Sequence, residues 1–193
     1  MTALVHGEDW SVGIKYFAVY WLKFYGGNDL LHSPMFENTD QHAEDNLLRH
    51  LRLQLSVINM DRLESLTIMQ SSSPCHTCSE KYVRDLRELT TRWGVLVTVV
   101  FSSVYHIQRP SCVRGNHLHG GHIFGLYSDL NKTGLRKLMA VGIQVRSTCY
   151  QDWINLRAAL QLPNTYSAET YSFSSRKRED DALRQDLEEI FSY

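Results

Sequence analysis

Apolar positions along the chain fall into blocks of two periods. Ile14–Phe24 is dense in aromatic and β-branched residues and predicts a strand, closed by the turn residues Gly26, Gly27, Asn28 and Asp29. Leu30–Phe36 predicts a short returning edge strand, limited by Pro34, which has no N–H to donate. Beyond it the period changes. Ala43, Leu47, Leu48, Leu51 and Leu55 form the stripe of an amphipathic helix, with Thr39 or Asp40 as its predicted cap. Leu66–Gln70 predicts a second apolar strand and ends in Ser71-Ser72-Ser73-Pro74. A helix follows from about Cys75, with Tyr82, Val83, Leu86 and Leu89 inward, and Gly94 ends it. Val95–Phe101 is apolar throughout, which predicts a central strand covered on both faces.

Residues 104–122 form a long stretch rich in glycine and histidine, which predicts a loop. Leu126–Ala140 predicts a helix with Gly142 as its stop, Ile143–Cys149 a strand, and Asp152–Gln161 a short helix ended by Pro163. From Ser175 a capped amphipathic helix presents Leu183, Leu187, Ile190 and Phe191 on one face. The helical stretch between the Val95 and Ile143 strands excludes a hairpin and makes that pair parallel. This order predicts an α/β three-layer domain with a mixed five-stranded sheet flanked by helices. There is no internal repeat, and Pro163–Ser174 is the nearest thing to a linker. Residues 1–193 are therefore expected to be one domain, with a core over about 14–161 and a C-terminal helix over about 175–191.

Composition narrows the class. With 43% hydrophobic residues among 193, and only 11 Gly and 4 Pro, disordered and collagen-like chains are excluded. No apolar run reaches the ~18–20 residues of a membrane helix. Met1–Trp10 carries His6, Glu8 and Asp9 where a secretory signal needs a basic segment and an apolar run. The expectation is a soluble chain with no membrane partner, cytoplasmic or nuclear, with a secreted form open if a signal peptide has been removed. A net charge of −1 argues against a strongly basic nucleic-acid binder but leaves room for a local basic groove. Leu89–Ser128 holds no Asp or Glu, yet contains Arg92, Arg109, Arg114 and four histidines. That composition suits a solvated loop or an anion-facing rim.

Four cysteines are too few for a disulfide scaffold of this size, and Cys75 and Cys78 are spaced C-x-x-C, which reads as metal or redox. His42-Ala43-Glu44 opens one predicted helix, and Pro74-Cys75-His76-Thr77-Cys78 opens the next. One imidazole and two thiolates make three ligands, which suits a catalytic zinc with an open position for water. A C-x-x-C on a first helical turn points both sulfurs the same way, and the helix N-terminus favours thiolates. Glu44, two residues beyond His42, can serve as the acid–base group beside an activated water. His76, His50 and His32 are not expected to be ligands.

These motifs match the H-x-E…P-C-x-x-C signature of zinc-dependent nucleobase deaminases. Over about Lys15–Leu160 the chain resembles the AID/APOBEC branch of zinc-dependent cytidine deaminases. The anchors are H-A-E, S-S-S-P-C-H-T-C, then Gly134–Val145 (GLRKLMAVGIQV), followed by Tyr150-Gln151-Asp152-Trp153. The resemblance implies a cytidine-deaminase-like fold and hydrolytic deamination of cytosine in single-stranded DNA, or less so RNA. It implies Zn2+ as cofactor on His42, Cys75 and Cys78, with Glu44 protonating N3 and then the leaving ammonia. It further implies that the Ser73 carbonyl accepts from the cytosine amino group, the Ala43 N–H meets O2, Tyr105 packs on the flipped base and Asn38 contacts the sugar.

The chain departs from the family in three places. Ser72 stands where the family has Trp, the first helix is absent or very short, and the loop after Tyr105 is longer and richer in histidine. Two alternatives stay open: a deaminase of a free nucleoside, nucleotide or other base, and a catalytically silent zinc-stabilised nucleic-acid-binding domain. Cys112, His117, His119 and His122, spaced C-x4-H-x-H-x2-H, are a candidate second metal set, or else a rim that gains charge as pH falls.

Overall fold

The computed structural model describes residues 16–27, 30–105, 107, 126–161, 167–172 and 174–192. Strand β1 (Phe17–Phe24) is buried on both faces for most of its length, because alternate side chains point to opposite sides of the pleat. Ala18, Tyr20 and Leu22 enter one apolar cluster, while Phe17, Val19 and Trp21 enter another. Strands β2 (Leu30–His32) and β3 (Phe36–Glu37) both pair antiparallel with β1. On its other side β1 pairs antiparallel with β4 (Leu63–Gln70), which a short 3-10 turn at Met60–Arg62 introduces. β4, β5 (Leu96–Phe101) and β6 (Gln144–Ser147) are parallel. The open mixed sheet runs β2-β1-β4-β5-β6, with β3 off this path on β1.

The sheet thus has six strands rather than five. The expected single return over Leu30–Phe36 breaks at Ser33-Pro34. Ser33 bonds Tyr20 twice, its N–H donating to the carbonyl and its Oγ accepting from the N–H, each at 2.9 Å. Pro34 then offers no donor, and Phe36 and Glu37 pair afresh with Ala18 and Phe17.

Six helices complete the described chain: α1 (Ala43–Leu55), α2 (His76–Thr91), α3 (Leu126–Ala140), α4 (Tyr150–Ala159), α5 (Ala168–Ser172) and α6 (Ser175–Phe191). Apolar residues of α1, α2, α3 and α6 join the larger cluster. Trp153 and Leu156 of α4 and Tyr171 of α5 join the smaller one, on the side of the sheet that Phe17 and Val19 face. Helices flank both faces, an arrangement compatible with three layers. β5 is covered on both faces as predicted, with Val99 in the first cluster and Val100 in the second. Gly94 at φ +64° and Gly142 at φ +84° turn the chain from α2 into β5 and from α3 into β6, left-handed positions that favour glycine. The short helix α5 lies inside Pro163–Ser174, the stretch expected to resemble a linker. Among the described residues, no helix is long and apolar enough to cross a membrane.

The cap of α1 is neither Thr39 nor Asp40. His42 is the N-cap residue, without a side-chain cap bond of its own, and Asn38 Oδ1 accepts from the Ala43 N–H at 2.7 Å. The β3 pairing holds Asn38 there, its N–H donating to the Tyr16 carbonyl at 3.0 Å.

Candidate active site

β4 and β5 run parallel, so their C-terminal ends open on one edge of the sheet, where α/β sheets bind ligands. β1 runs the opposite way and begins at that edge. Its Phe17 N–H donates to Ser71 Oγ, and its carbonyl accepts from the Ser71 N–H, both at 3.1 Å. α1 and α2 also start there. A single cavity results, lined from β1 by Tyr16 and Phe17, from the end of β4 by Gln70–Ser73, and from beyond β5 by Tyr105. Asn38, His42, Ala43, Glu44 and Cys75 complete it.

His42 is the N-cap residue of α1 and Cys75 that of α2, while Cys78 sits one turn into α2. An N-cap side chain faces the third residue of its helix, so C-x-x-C brings both sulfurs together. One donor atom each from His42, Cys75 and Cys78 lies within 4.8 Å of the other two. His42 Nδ1 is 3.3 Å from Cys78 Sγ and 3.9 Å from Cys75 Sγ. Zinc–ligand lengths of about 2.3 Å to sulfur and about 2.0 Å to nitrogen at a tetrahedral angle require about 3.5 Å between such atoms. The observed separations bracket that figure, and two sulfurs with one imidazole suit zinc. The three residues form a group that can hold a metal ion.

Electrostatics set the two thiols apart. A hydrogen bond from the Cys78 thiol holds Cys75 down to about 5, and the same bond, aided by burial, pushes the Cys78 thiol up. Burial raises the Glu44 carboxyl above its ordinary value, the nearby Cys75 sulfur adds to this, and His42 opposes it. Glu44 borders the same cavity as His42 and Cys75.

The residues carried over by resemblance come together here, with different bonds for two of them. Asn38 and Ala43 satisfy each other through the cap bond, so neither group is free for a sugar or a base oxygen until that bond opens. Ser73 braces the floor: its N–H donates to the Ser103 carbonyl at 2.8 Å, and its Oγ accepts from the Tyr105 N–H at 2.9 Å. Tyr105 meets Tyr16 edge to face at 5.6 Å. Ser72, in the position of the family Trp, is buried and takes a 3.0 Å bond from Ser103 Oγ.

Three supporting residues escaped the sequence reading. Gln70 Nε2 donates to the Ser72 carbonyl at 2.8 Å, and the buried Tyr82 hydroxyl donates to Gln70 Oε1 at 2.6 Å. A polar residue ending an apolar strand just before the serines was the available signal for Gln70. Asn131 of α3, also buried, accepts from the His76 N–H at 2.8 Å and donates to the Tyr105 carbonyl at 2.9 Å. It ties the first turn of the cysteine helix to the aromatic wall.

The other described histidines have different surroundings. His50 Nδ1 is 2.8 Å from the Tyr20 hydroxyl, and His76 Nε2 is 3.5 Å from Glu80. Cys112, His117, His119 and His122, with Arg109 and Arg114, lie outside the described residues. No protein-family model matches the chain, and no curated protein matches it.

Proposed function

We propose that the chain is a zinc-dependent cytidine deaminase acting on cytosine in single-stranded polynucleotide, DNA more than RNA. One juxtaposition carries the reading. His42, Cys75 and Cys78 form a group that can hold a metal ion, beside the half-buried Glu44, at a cavity that Ala43, Ser73 and Tyr105 line. The parallel succession β4–α2–β5–α3–β6 supports a cytidine-deaminase-like fold.

Held by these three groups, a zinc ion would supply an acidified water, with a pKa of about 7. Glu44 moves the protons. It accepts one as the water oxygen bonds to C4, delivers it to N3, and passes the second proton of water to the amino nitrogen as the C4–N4 bond breaks. Cytosine and water thus leave as uracil and ammonia. The raised Glu44 carboxyl suits this shuttle, because a group that must return a proton works best with its pKa near the operating pH. Tyr105 offers a face for the base, and Ser73 offers a backbone carbonyl to its amino group.

The test is uracil formation on single-stranded DNA carrying each possible base 5′ of the target, with free cytidine and zinc content measured in parallel. Uracil in the strand supports the reading. Turnover of free cytidine alone moves the substrate to a nucleoside, and zinc without any turnover leaves a zinc-stabilised binding domain.

A further inference from the structure

Beside the cavity, α1 and α2 lie against each other and enclose a groove of about 350 Å³. That volume falls at the lower end of the range for small-ligand sites, about 300–1,000 Å³. Its walls repeat one pattern. Arg49 and Arg52 are three residues apart on α1, and Lys81 and Arg84 are three apart on α2, so each pair sits on one helix face. Two inter-helix ion pairs cross the groove, Lys81–Asp45 at 2.6 Å and Arg52–Asp85 at 2.5 Å. Arg84 shares that same Asp85 at 2.9 Å. Arg49 donates to the neutral amide of Gln41 at 2.7 Å, and among the described residues no carboxylate pairs with it. Four fixed cations therefore face two carboxylates, in a chain whose net charge is −1. Gln41 and Asp45, which line the groove, are next in sequence to His42 and Glu44, which line the cavity.

We propose that this groove binds the phosphodiester backbone of the single strand whose base enters the cavity, with Arg49 and Arg84 as its phosphate contacts. This rests on the polynucleotide reading above. Guanidinium forks pair phosphate oxygens in two parallel bonds. Arg49 has no carboxylate to surrender. Asp85 stays paired with Arg52 when Arg84 turns to a phosphate. The remaining pairs keep α1 and α2 together, so the groove persists while the two arginines engage a ligand.

The test is strand binding by fluorescence anisotropy, using zinc-loaded Glu44→Gln so that turnover does not enter. Arg49→Gln/Arg84→Gln added to that background should weaken binding of a strand of about 25 nucleotides about tenfold, leaving one of about five nearly unchanged. The slope of log affinity against log salt should become shallower by about 1.4, the value for two phosphate contacts on a single strand. Arg178→Gln/Arg184→Gln, exposed positions on α6, removes the same charge elsewhere and should leave the slope in place. An unchanged slope in the groove variant, an equal loss in the control, or preference for polyglutamate over the strand would overturn the proposal. Turnover is read separately. A groove-dependent strand affinity in a protein that makes no uracil would defeat the deaminase reading and leave the groove standing.

Discussion

Gly134 sets how closely α3 approaches the first turns of α2. A Cβ there would lie 2.9 Å from Ser79 Oγ, 3.0 Å from Ser79 Cβ and 3.2 Å from His76 Cα. Ser79 Oγ is itself buried with no hydrogen-bond partner among the described residues, a sign of how tight the crossing is. Gly134→Ala should therefore destabilise the fold by about 1–2 kcal/mol, because overpacking outweighs the ~1 kcal/mol alanine gains in a helix. Urea unfolding measures it, and Gly134→Ala with Ser79→Gly should cost less than the sum of the two alone. This explains the first glycine of the GLRKLMAVGIQV run physically. At His32 of β2, burial lowers the imidazole pKa, and its Nδ1 is buried with no partner among the described residues. The folded state then binds fewer protons than the unfolded chain. Its stability contribution is present above the unfolded value and is lost as pH falls through the folded one. Midpoints of urea unfolding should decline from about pH 7 to about pH 5 less steeply in His32→Asn than in the parent.

Beside its apolar packing, one buried carboxylate ties α6 to α4, α5 and the end of β6. Asp180 accepts from Thr148 Oγ1, from Trp153 Nε1 at 3.0 Å, from the Tyr171 hydroxyl at 2.8 Å and from Arg176. Arg176 also reaches the Ser102 carbonyl at 3.2 Å, and Ser102 Oγ bonds the Ser71 carbonyl at 2.8 Å. The C-terminal helix thereby supports the serine wall of the cavity. Asp180→Ala should cost about 3–5 kcal/mol in urea unfolding, the scale for stranding a buried charge. Arg176→Met with Asp180→Leu should recover only part of that. The ion pair disappears together, but Thr148, Trp153 and Tyr171 stay stranded as donors. None of this was legible in the sequence, where Asp180 is one acid in the polar run Arg176–Asp181. The major helices were legible, because an apolar stripe at helical spacing survives whatever it packs against. What failed was local and side-chain-made: the strand break at Ser33-Pro34 and the cap from Asn38, which a paired strand carries to α1 from outside its first turn.

At the scale of the molecule, three side chains able to hold a metal, 33 and 36 residues apart in sequence, meet because two helices begin at one edge of a parallel sheet. The spacing of H-A-E and P-C-x-x-C was readable because each motif occupies one helical turn. The walls were less so, since Gln70, Asn131 and Tyr16 reach the site only through the fold. Ligands drawn from two helix starts should couple metal to stability. Chelation of the zinc-loaded protein should lower its Tm, and the same chelator should leave that of Cys75→Ala nearly unmoved. The proton-shuttle role of Glu44 is tested most directly by cytosine-to-uracil conversion in a single-stranded DNA, comparing the parent with Glu44→Gln at matched zinc content. The parent should convert the cytosine, and the variant should lose about 10²–10⁴-fold or more of that activity with zinc retained. Conversion that survives the substitution, or a variant that loses its zinc along with its activity, would contradict a site in which His42, Cys75 and Cys78 hold the metal and Glu44 moves the protons.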